Sequence, residues 1–118
     1  MGFINDELTI QIAYHAADIV LHPAPIDNLP NTVAESLSCG TPVIAFNVGG
    51  LPEMVIPGKT GWLVSSIKSN EMIKILKEIL DSESLLKLRS TSREFAFEKF
   101  SSSQIEEEYN NFFLSCMA

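Results

Sequence analysis

Cationic side chains are scarce in this sequence of 118 residues, which has 8 Lys and Arg against 15 Asp and Glu and a formal net charge of −7. Nucleic-acid phosphates and anionic lipid headgroups are bound by surfaces rich in Lys and Arg, so this balance argues against both kinds of partner. Long apolar runs are absent too, since no stretch approaches the roughly 20 residues of a transmembrane helix. No apolar leader follows Met1, so no signal peptide is expected.

Cysteine is scarce as well, with Cys39 and Cys116 far apart in the chain. We expect both to be free thiols in a reducing compartment, the cytoplasm. The two histidines, His15 and His22, have no third ligand at metal spacing. We therefore expect neither a metal site nor a metal cofactor.

What the sequence does contain is an ordinary globular composition, with 46% hydrophobic and 19% charged residues, so a core can form. The length predicts one domain. Residues 2–4 are typical of the end of a buried strand, yet no complete βαβ unit precedes them. A parallel sheet of few strands buries too little apolar surface unless another layer covers it. We therefore expect an incomplete domain, a piece of a larger architecture that self-associates through its exposed core.

Short apolar runs alternate with helical periodicity along the chain, and this order predicts an α/β fold. The runs at residues 19–21, 43–46 and 61–64 suit strands buried on both faces, in a partial Rossmann-like, mostly parallel sheet with flanking helices. Asn5 is predicted to cap the first helix. The stripe predicted to face the core from that helix is Leu8, Ile12, Ala13 and Ala16. Further helices are predicted at residues 31–39, 70–80 and 84–99 and from Ser101 or Ser103 onward.

The stretch with most chemical content is the loop and helix after the first strand. Asp27 stands in the loop, and Glu35 follows eight positions later, about one turn inside the helix. The first amides of a helix lack intrahelical acceptors and lie at the positive end of its dipole, which suits a phosphate. Two carboxylates around such amides suit a diphosphate with a sugar on each side, because an ionised carboxylate accepts hydrogen bonds from hydroxyl pairs. The residue pattern alone also allows the alternative that Glu35 is a solvated helix residue and Asp27 a turn-forming residue.

Four blocks follow each other in register: DNLPNTVAE at residues 27–35, CGTPVIAF at 39–46, VGGLPE at 48–53 and GKTGWLV at 58–64. Together they closely resemble the donor-binding, C-terminal half of group 1 (family 4) retaining glycosyltransferases, which have the GT-B fold of two Rossmann-like domains. The first acid of the family's Glu-x7-Glu pattern is here Asp27, and Ala24 stands where the family often has Ser. Both departures leave the donor sugar open.

The resemblance implies roles for ten residues. Asp27 would be the catalytic residue, holding hydroxyls of the donor hexose and stabilising the charge that develops on the sugar, and Glu35 would bind the ribose. The backbone of Asn28, Leu29 and Pro30 would face the donor sugar, and the amides of Asn31, Thr32 and Val33 would meet the diphosphate. Gly49 and Gly50 would form the second wall of the pocket.

The function implied by the resemblance is donor binding for retaining transfer from a UDP- or GDP-sugar in bacterial surface-glycan synthesis. The enzyme would be cytoplasmic, at the inner face of the membrane when full length, and its N-terminal acceptor domain is missing here. We therefore expect the chain alone to be inactive as a transferase. Two alternatives stay open: a non-catalytic remnant that self-associates, and an isomerase related to nucleotide-sugar epimerases. Lys59, Lys87, Arg89 and Arg93 are predicted to be solvated.

Overall fold

The computed structural model describes residues 6–26, 30–81 and 83–100. The predicted strand end at residues 2–4, the loop residues Asp27, Asn28 and Leu29, the final predicted helix and Cys116 lie outside this part of the chain. The described elements are α1 (Glu7–Ala16), β1 (Val20–His22), α2 (Asn31–Ser38), β2 (Val43–Phe46), a 3-10 turn (Leu51–Glu53), β3 (Gly61–Val64), α3 (Ser69–Leu80) and α4 (Ser84–Phe100).

The three strands form one parallel sheet in the order β1-β2-β3. Val20 pairs with Val43, and Ile44 pairs with Trp62. This arrangement confirms the predicted α/β class, with short connections that return through a helix between β1 and β2. Since all three strands run the same way, their carboxyl ends lie along one edge of the sheet.

The central strand β2 is buried along its whole length and divides the core in two. On one face Val43 and Ala45 pack with side chains of α2 and α4, among them Leu37 and Ala96. On the other face Ile44 and Phe46 form a second cluster with side chains of α3. The sheet is therefore the middle of three layers. The apolar runs of the sequence predicted this, because a strand covered on both faces needs apolar residues on both sides.

Gly61 allows the close approach of β3 to β2. A Cβ at this position would lie 1.8 Å from the carbonyl oxygen of Val43, and the Gly61 φ is +156°. The first residue of β3 must therefore be glycine, because the neighbouring backbone occupies the space of a side chain.

The face of α1 that packs on the protein differs from the one predicted. Leu8 and Ile12 are 63% and 58% exposed, whereas Ile10 and Tyr14 pack against the buried Cys39. The prediction failed because α1 meets the end of α2, and periodicity within α1 does not indicate where that contact lies. The structure also gives the cap of α1 to Asp6, whose carboxylate accepts from the Thr9 amide at 2.9 Å.

Two further predictions about single side chains are wrong. Cys39 is disulfide-bonded and not a free thiol. Arg89 and Arg93 are half-buried, not solvated: they extend from α4 to the carboxyl ends of α1 and α2. Arg89 donates to the carbonyls of Ala17 and His15 at 2.8 and 3.0 Å. Arg93 donates to the Cys39 carbonyl at 3.3 Å. Cationic donors are favourable at helix carboxyl ends, where backbone carbonyls lack intrahelical partners.

Among the described residues, no helix is both long and apolar enough to span a membrane.

Candidate functional site

The site predicted from sequence lies at the carboxyl edge of the sheet, where α2 begins. The carboxyl end of α2 joins β2 through the turn at Gly40 and Thr41, so the amino end of α2 points to the opposite edge. The same edge receives the loop after β2, which contains Gly49 and Gly50. Topology alone therefore brings the two predicted walls of the pocket to one side of the molecule.

The mouth of α2 is formed by Pro30, Asn31 and Thr32. Pro30 occupies the N-cap position with no side-chain cap, and its carbonyl accepts from the amides of Val33 and Ala34 at 3.2 and 3.3 Å. The Val33 amide, predicted to meet a diphosphate, is thus already engaged inside the helix. Asn31 and Thr32 are the first two residues of α2, at the positive end of its dipole, and both are exposed.

Glu35 lies about 6 Å further along the α2 axis, at roughly 1.5 Å per residue. Its side chain is half-buried, and the phenol of Tyr14 in α1 donates to Oε2 at 3.3 Å. Burial raises the pKa of Glu35; the hydrogen bond from Tyr14 lowers this pKa, and the charge of Glu7 raises it. The carboxylate is thus a partly desolvated acceptor, held by one donor from a neighbouring helix.

The loop after β2 turns sharply at its two glycines. The Val48 amide donates to the Phe46 carbonyl at 2.9 Å, and the Leu51 amide donates to the Val48 carbonyl at 3.2 Å. Gly49 has a φ of +54°, in the left-handed region, and is exposed. A residue with a Cβ is disfavoured there, so glycine keeps the backbone open to a ligand at this edge.

Asp27, Asn28 and Leu29 lie outside the described residues, so the predicted catalytic acid and most of the predicted donor-sugar loop stay predictions. The described part of the predicted site consists of Pro30, Asn31, Thr32, Val33 and Glu35 in one segment and Gly49 and Gly50 in the other. No group of three His, Cys, Asp or Glu side chains that could hold a metal ion occurs within residues 6–26, 30–81 and 83–100.

A cavity of about 690 Å³ lies elsewhere, along the outer face of α4. The described side chains that line it are Leu86, Arg89, Ser90, Arg93, Glu94, Phe97 and Glu98. None of them belongs to the predicted site. Its two arginines already donate to the carbonyls of His15, Ala17 and Cys39, so the cavity offers a poor phosphate site despite its size.

Lys59 also lies away from the predicted site. It precedes β3, at the amino edge of the sheet, and its ammonium sits 5.6 Å from the centre of the Phe95 ring. The side chain is exposed, in agreement with the predicted solvated position.

Tyr14 is the residue that sequence reasoning missed. It is separated from Glu35 by 21 positions and lies on the side of α1 opposite the stripe predicted to face the core. The available signal was the spacing of Ile10 and Tyr14, an i, i+4 pair that marks a second apolar stripe on α1.

Comparison with known proteins fits this geometry. The D-inositol 3-phosphate glycosyltransferase of Mycolicibacterium smegmatis is 39% identical over 70 residues, which is 59% of this chain and 16% of the relative. The sucrose-phosphate synthase of Thermosynechococcus elongatus superposes with a TM-score of 0.80 at 30% identity, over 98% of this chain and 27% of that chain. Anabaena HepE, solved in complex with UDP-glucose, has a TM-score of 0.76 at 26% identity, over 98% of this chain and 31% of that one.

These similarities confirm the expected fold, a parallel α/β sheet with flanking helices that matches part of a GT-B architecture. The chain spans about a sixth of the length of the Mycolicibacterium relative. The model of the family described as glycosyl transferases group 1 matches residues 1–99. The chain therefore belongs to the group 1 glycosyl transferases.

Proposed function

We propose that this chain binds the nucleotide part of a UDP- or GDP-sugar, as the donor-binding half of a retaining glycosyltransferase. The observation that carries the proposal is the half-buried Glu35 carboxylate, one turn inside a helix whose mouth opens at the carboxyl edge of the sheet. A desolvated, hydrogen-bonded carboxylate at this distance from the helix mouth suits a ribose diol whose diphosphate reaches the first amides.

Each proposed contact follows from the chemistry of its group. Glu35 accepts hydrogen bonds from the ribose hydroxyls. The amides of Asn31 and Thr32, at the positive end of the α2 dipole, bind the diphosphate. Gly49 gives the ligand access to the backbone after β2. Asp27 would stabilise the positive charge that develops on the donor sugar, with no metal ion involved.

The similarity to HepE, whose structure contains UDP-glucose, supports a nucleotide sugar as the ligand. The acceptor-binding domain, retention of configuration, a role in surface-glycan synthesis and a cytoplasmic location are further parts of the proposal, taken from the resemblance to the family. Cationic donors around the leaving diphosphate are a large part of such catalysis. The residues of the proposed site include no Lys or Arg, so we expect the 118-residue chain to bind nucleotide without transferring sugar. A radiolabelled transfer assay with mixed nucleotide sugars tests the second half of that statement.

Calorimetric titration with UDP and GDP tests nucleotide binding. We expect the wild-type chain to bind one of them and Glu35→Gln to bind it about 10- to 100-fold more weakly, because a hydrogen bond to a charged group contributes about 1.5–3 kcal/mol. Glu78→Gln, at an exposed glutamate of α3, is the matched control and should leave affinity unchanged. Equal affinities of wild type and Glu35→Gln would refute the proposed role of Glu35. If neither nucleotide binds at millimolar concentration, the result would favour the alternative that the chain is a non-catalytic remnant.

A further inference from the structure

We infer that Tyr14 is a positioning residue for the nucleotide, whose phenol holds the Glu35 carboxylate in the orientation that accepts the ribose hydroxyls. The inference rests on the proposed function and adds to it a residue of a different helix. Tyr14 would not touch the nucleotide, and its effect would pass through Glu35.

The contact between Tyr14 and Glu35 is a single, long hydrogen bond. The Tyr14 hydroxyl donates to one oxygen of Glu35, Oε2, at 3.3 Å, and both side chains are half-buried. A carboxylate has two oxygens and about four acceptor positions, so one bond to Oε2 leaves ample capacity for a diol. A glutamate side chain has several rotatable bonds, and a fixed donor restricts its rotation before the ligand arrives.

Tyr14 can act as a fixed donor because its backbone is tied to α2. The Thr41 hydroxyl, just after α2, donates to the Tyr14 carbonyl at 2.6 Å. The Ser36 hydroxyl, next to Glu35, donates to the Thr41 carbonyl at 2.7 Å. These two bonds link the backbone of Tyr14 to the turn of α2 that carries Glu35.

The end of α1 is fixed from a third side. Arg89 of α4 donates to the carbonyls of His15 and Ala17, the first and third residues after Tyr14. The Tyr14 side chain also packs, together with that of Ile10, against the buried Cys39. A side chain on a helix held at these points places its hydroxyl more reproducibly than one on a loop.

The same bond favours the form of Glu35 that binds hydroxyls. A phenol donates its proton to an ionised carboxylate, so the contact stabilises the charged form against the effect of burial and of the Glu7 carboxylate in α1. On the α4 side, the charged groups nearest the end of α2 are Arg93, which donates to the Cys39 carbonyl, and Arg89. We call the pH at which half of the nucleotide affinity is lost the acid limit of binding. Loss of the Tyr14 hydroxyl would therefore move this acid limit to higher pH.

Tyr14→Phe in the full 118-residue chain tests the inference, with UDP and 2′-deoxy-UDP as the probes. We expect the wild type to prefer UDP. Tyr14→Phe should bind UDP about five-fold more weakly and change little toward the deoxy compound, because the lost bond orients the partner of the ribose hydroxyls. The pH at which half of the UDP affinity is lost should also rise.

Ile10→Ala is the matched control for packing, because it truncates the neighbour of Tyr14 in the same cluster without touching the hydroxyl. It should lower the melting temperature and leave both the preference for UDP and the acid limit unchanged. Suppose that the wild type binds UDP but that Tyr14→Phe keeps both the preference for UDP over 2′-deoxy-UDP and the acid limit. That result would overturn the inference and leave the proposed function standing. If the wild type binds GDP and not UDP, GDP and 2′-deoxy-GDP are the probes. A wild-type chain that binds neither nucleotide would overturn the proposed function and the inference with it.

Discussion

At the scale of single residues, the carboxyl of Glu35 is subject to opposing influences. Burial and the nearby Glu7 charge favour its neutral form, and the Tyr14 hydroxyl favours its ionised form. Burial dominates, so the pKa of Glu35 lies above its usual range. Spacing along the chain predicted the position of Glu35 within α2, but its protonation depends on Tyr14 and Glu7, which belong to another helix.

The raised pKa of Glu35 gives a pH prediction with opposite signs for binding and stability. The affinity for UDP should fall as the pH drops, starting above the ordinary glutamate pKa of about 4.3. The ionised carboxylate accepts from the ribose diol with both oxygens and forms stronger, charge-assisted bonds, whereas the neutral acid carries a proton on one oxygen. Because the folded state binds the Glu35 proton more tightly than the unfolded state, the Glu35 contribution to the free energy of unfolding falls as the pH rises through the folded pKa.

Titration calorimetry and urea unfolding between about pH 4 and pH 7.5 measure the two effects, over a window that includes the ordinary glutamate pKa. Glu35→Gln should remove both dependences and leave the contribution of Asp6, whose pKa is lowered by its bonds to Thr9 and which stabilises the fold above its unfolded pKa. An affinity for UDP that stays constant down to the ordinary glutamate pKa would contradict the prediction.

At the scale of elements, α4 fixes the positions of α1 and α2. Its arginines donate to the carboxyl ends of both helices, across 72 positions in the case of Arg89 and Ala17. The periodicity of residues 84–99 predicted α4 almost to the residue, yet assigned these arginines to solvent. Helical periodicity describes one helix, and the carbonyls that accept these bonds belong to other helices.

Arg89→Met should lower the free energy of unfolding by about 1–3 kcal/mol, because its aliphatic part remains while the bonds to His15 and Ala17 are lost. Lys87→Met, at an exposed position two residues earlier, should change stability by less than about 0.5 kcal/mol. Burial, then the charges of Arg93 and Arg89, lower the pKa of His15, so this pKa should rise in Arg89→Met. Urea unfolding and a histidine NMR titration measure the two effects; identical unfolding of both variants would contradict the capping role.

At the scale of the whole molecule, apolar surface remains open beside the first strand. Within the described residues β1 is an edge of the sheet, its Leu21 is 42% exposed, and Leu8 and Ile12 of α1 are more exposed still. A parallel sheet is normally covered on both faces and flanked by further strands. Leu8 and Ile12 lie one turn apart on α1, and an exposed apolar pair of this kind is typical of a surface that contacts another domain or another copy of the chain.

The predicted self-association should therefore depend on α1. Sedimentation velocity should show oligomers of the wild-type chain, and Leu8→Glu combined with Ile12→Glu should shift them toward monomer, because two charges would be desolvated at the contact. Ile73→Glu, at an apolar residue of α3 that is 48% exposed, is the matched control and should leave the distribution unchanged. A wild-type chain that sediments as a monomer at all concentrations would contradict the prediction.

The sequence by itself determined the order of strands and helices, the parallel sheet, the family and the position of Glu35 one turn inside α2. These features depend on local spacing: apolar runs, turn residues, and blocks of neighbouring residues. Only the tertiary structure decided which face of α1 is buried, which helix ends the α4 arginines contact, and which side chain donates a hydrogen bond to Glu35. Each of these depends on how elements pack against one another, and the periodicity within an element does not record the identity of its neighbour.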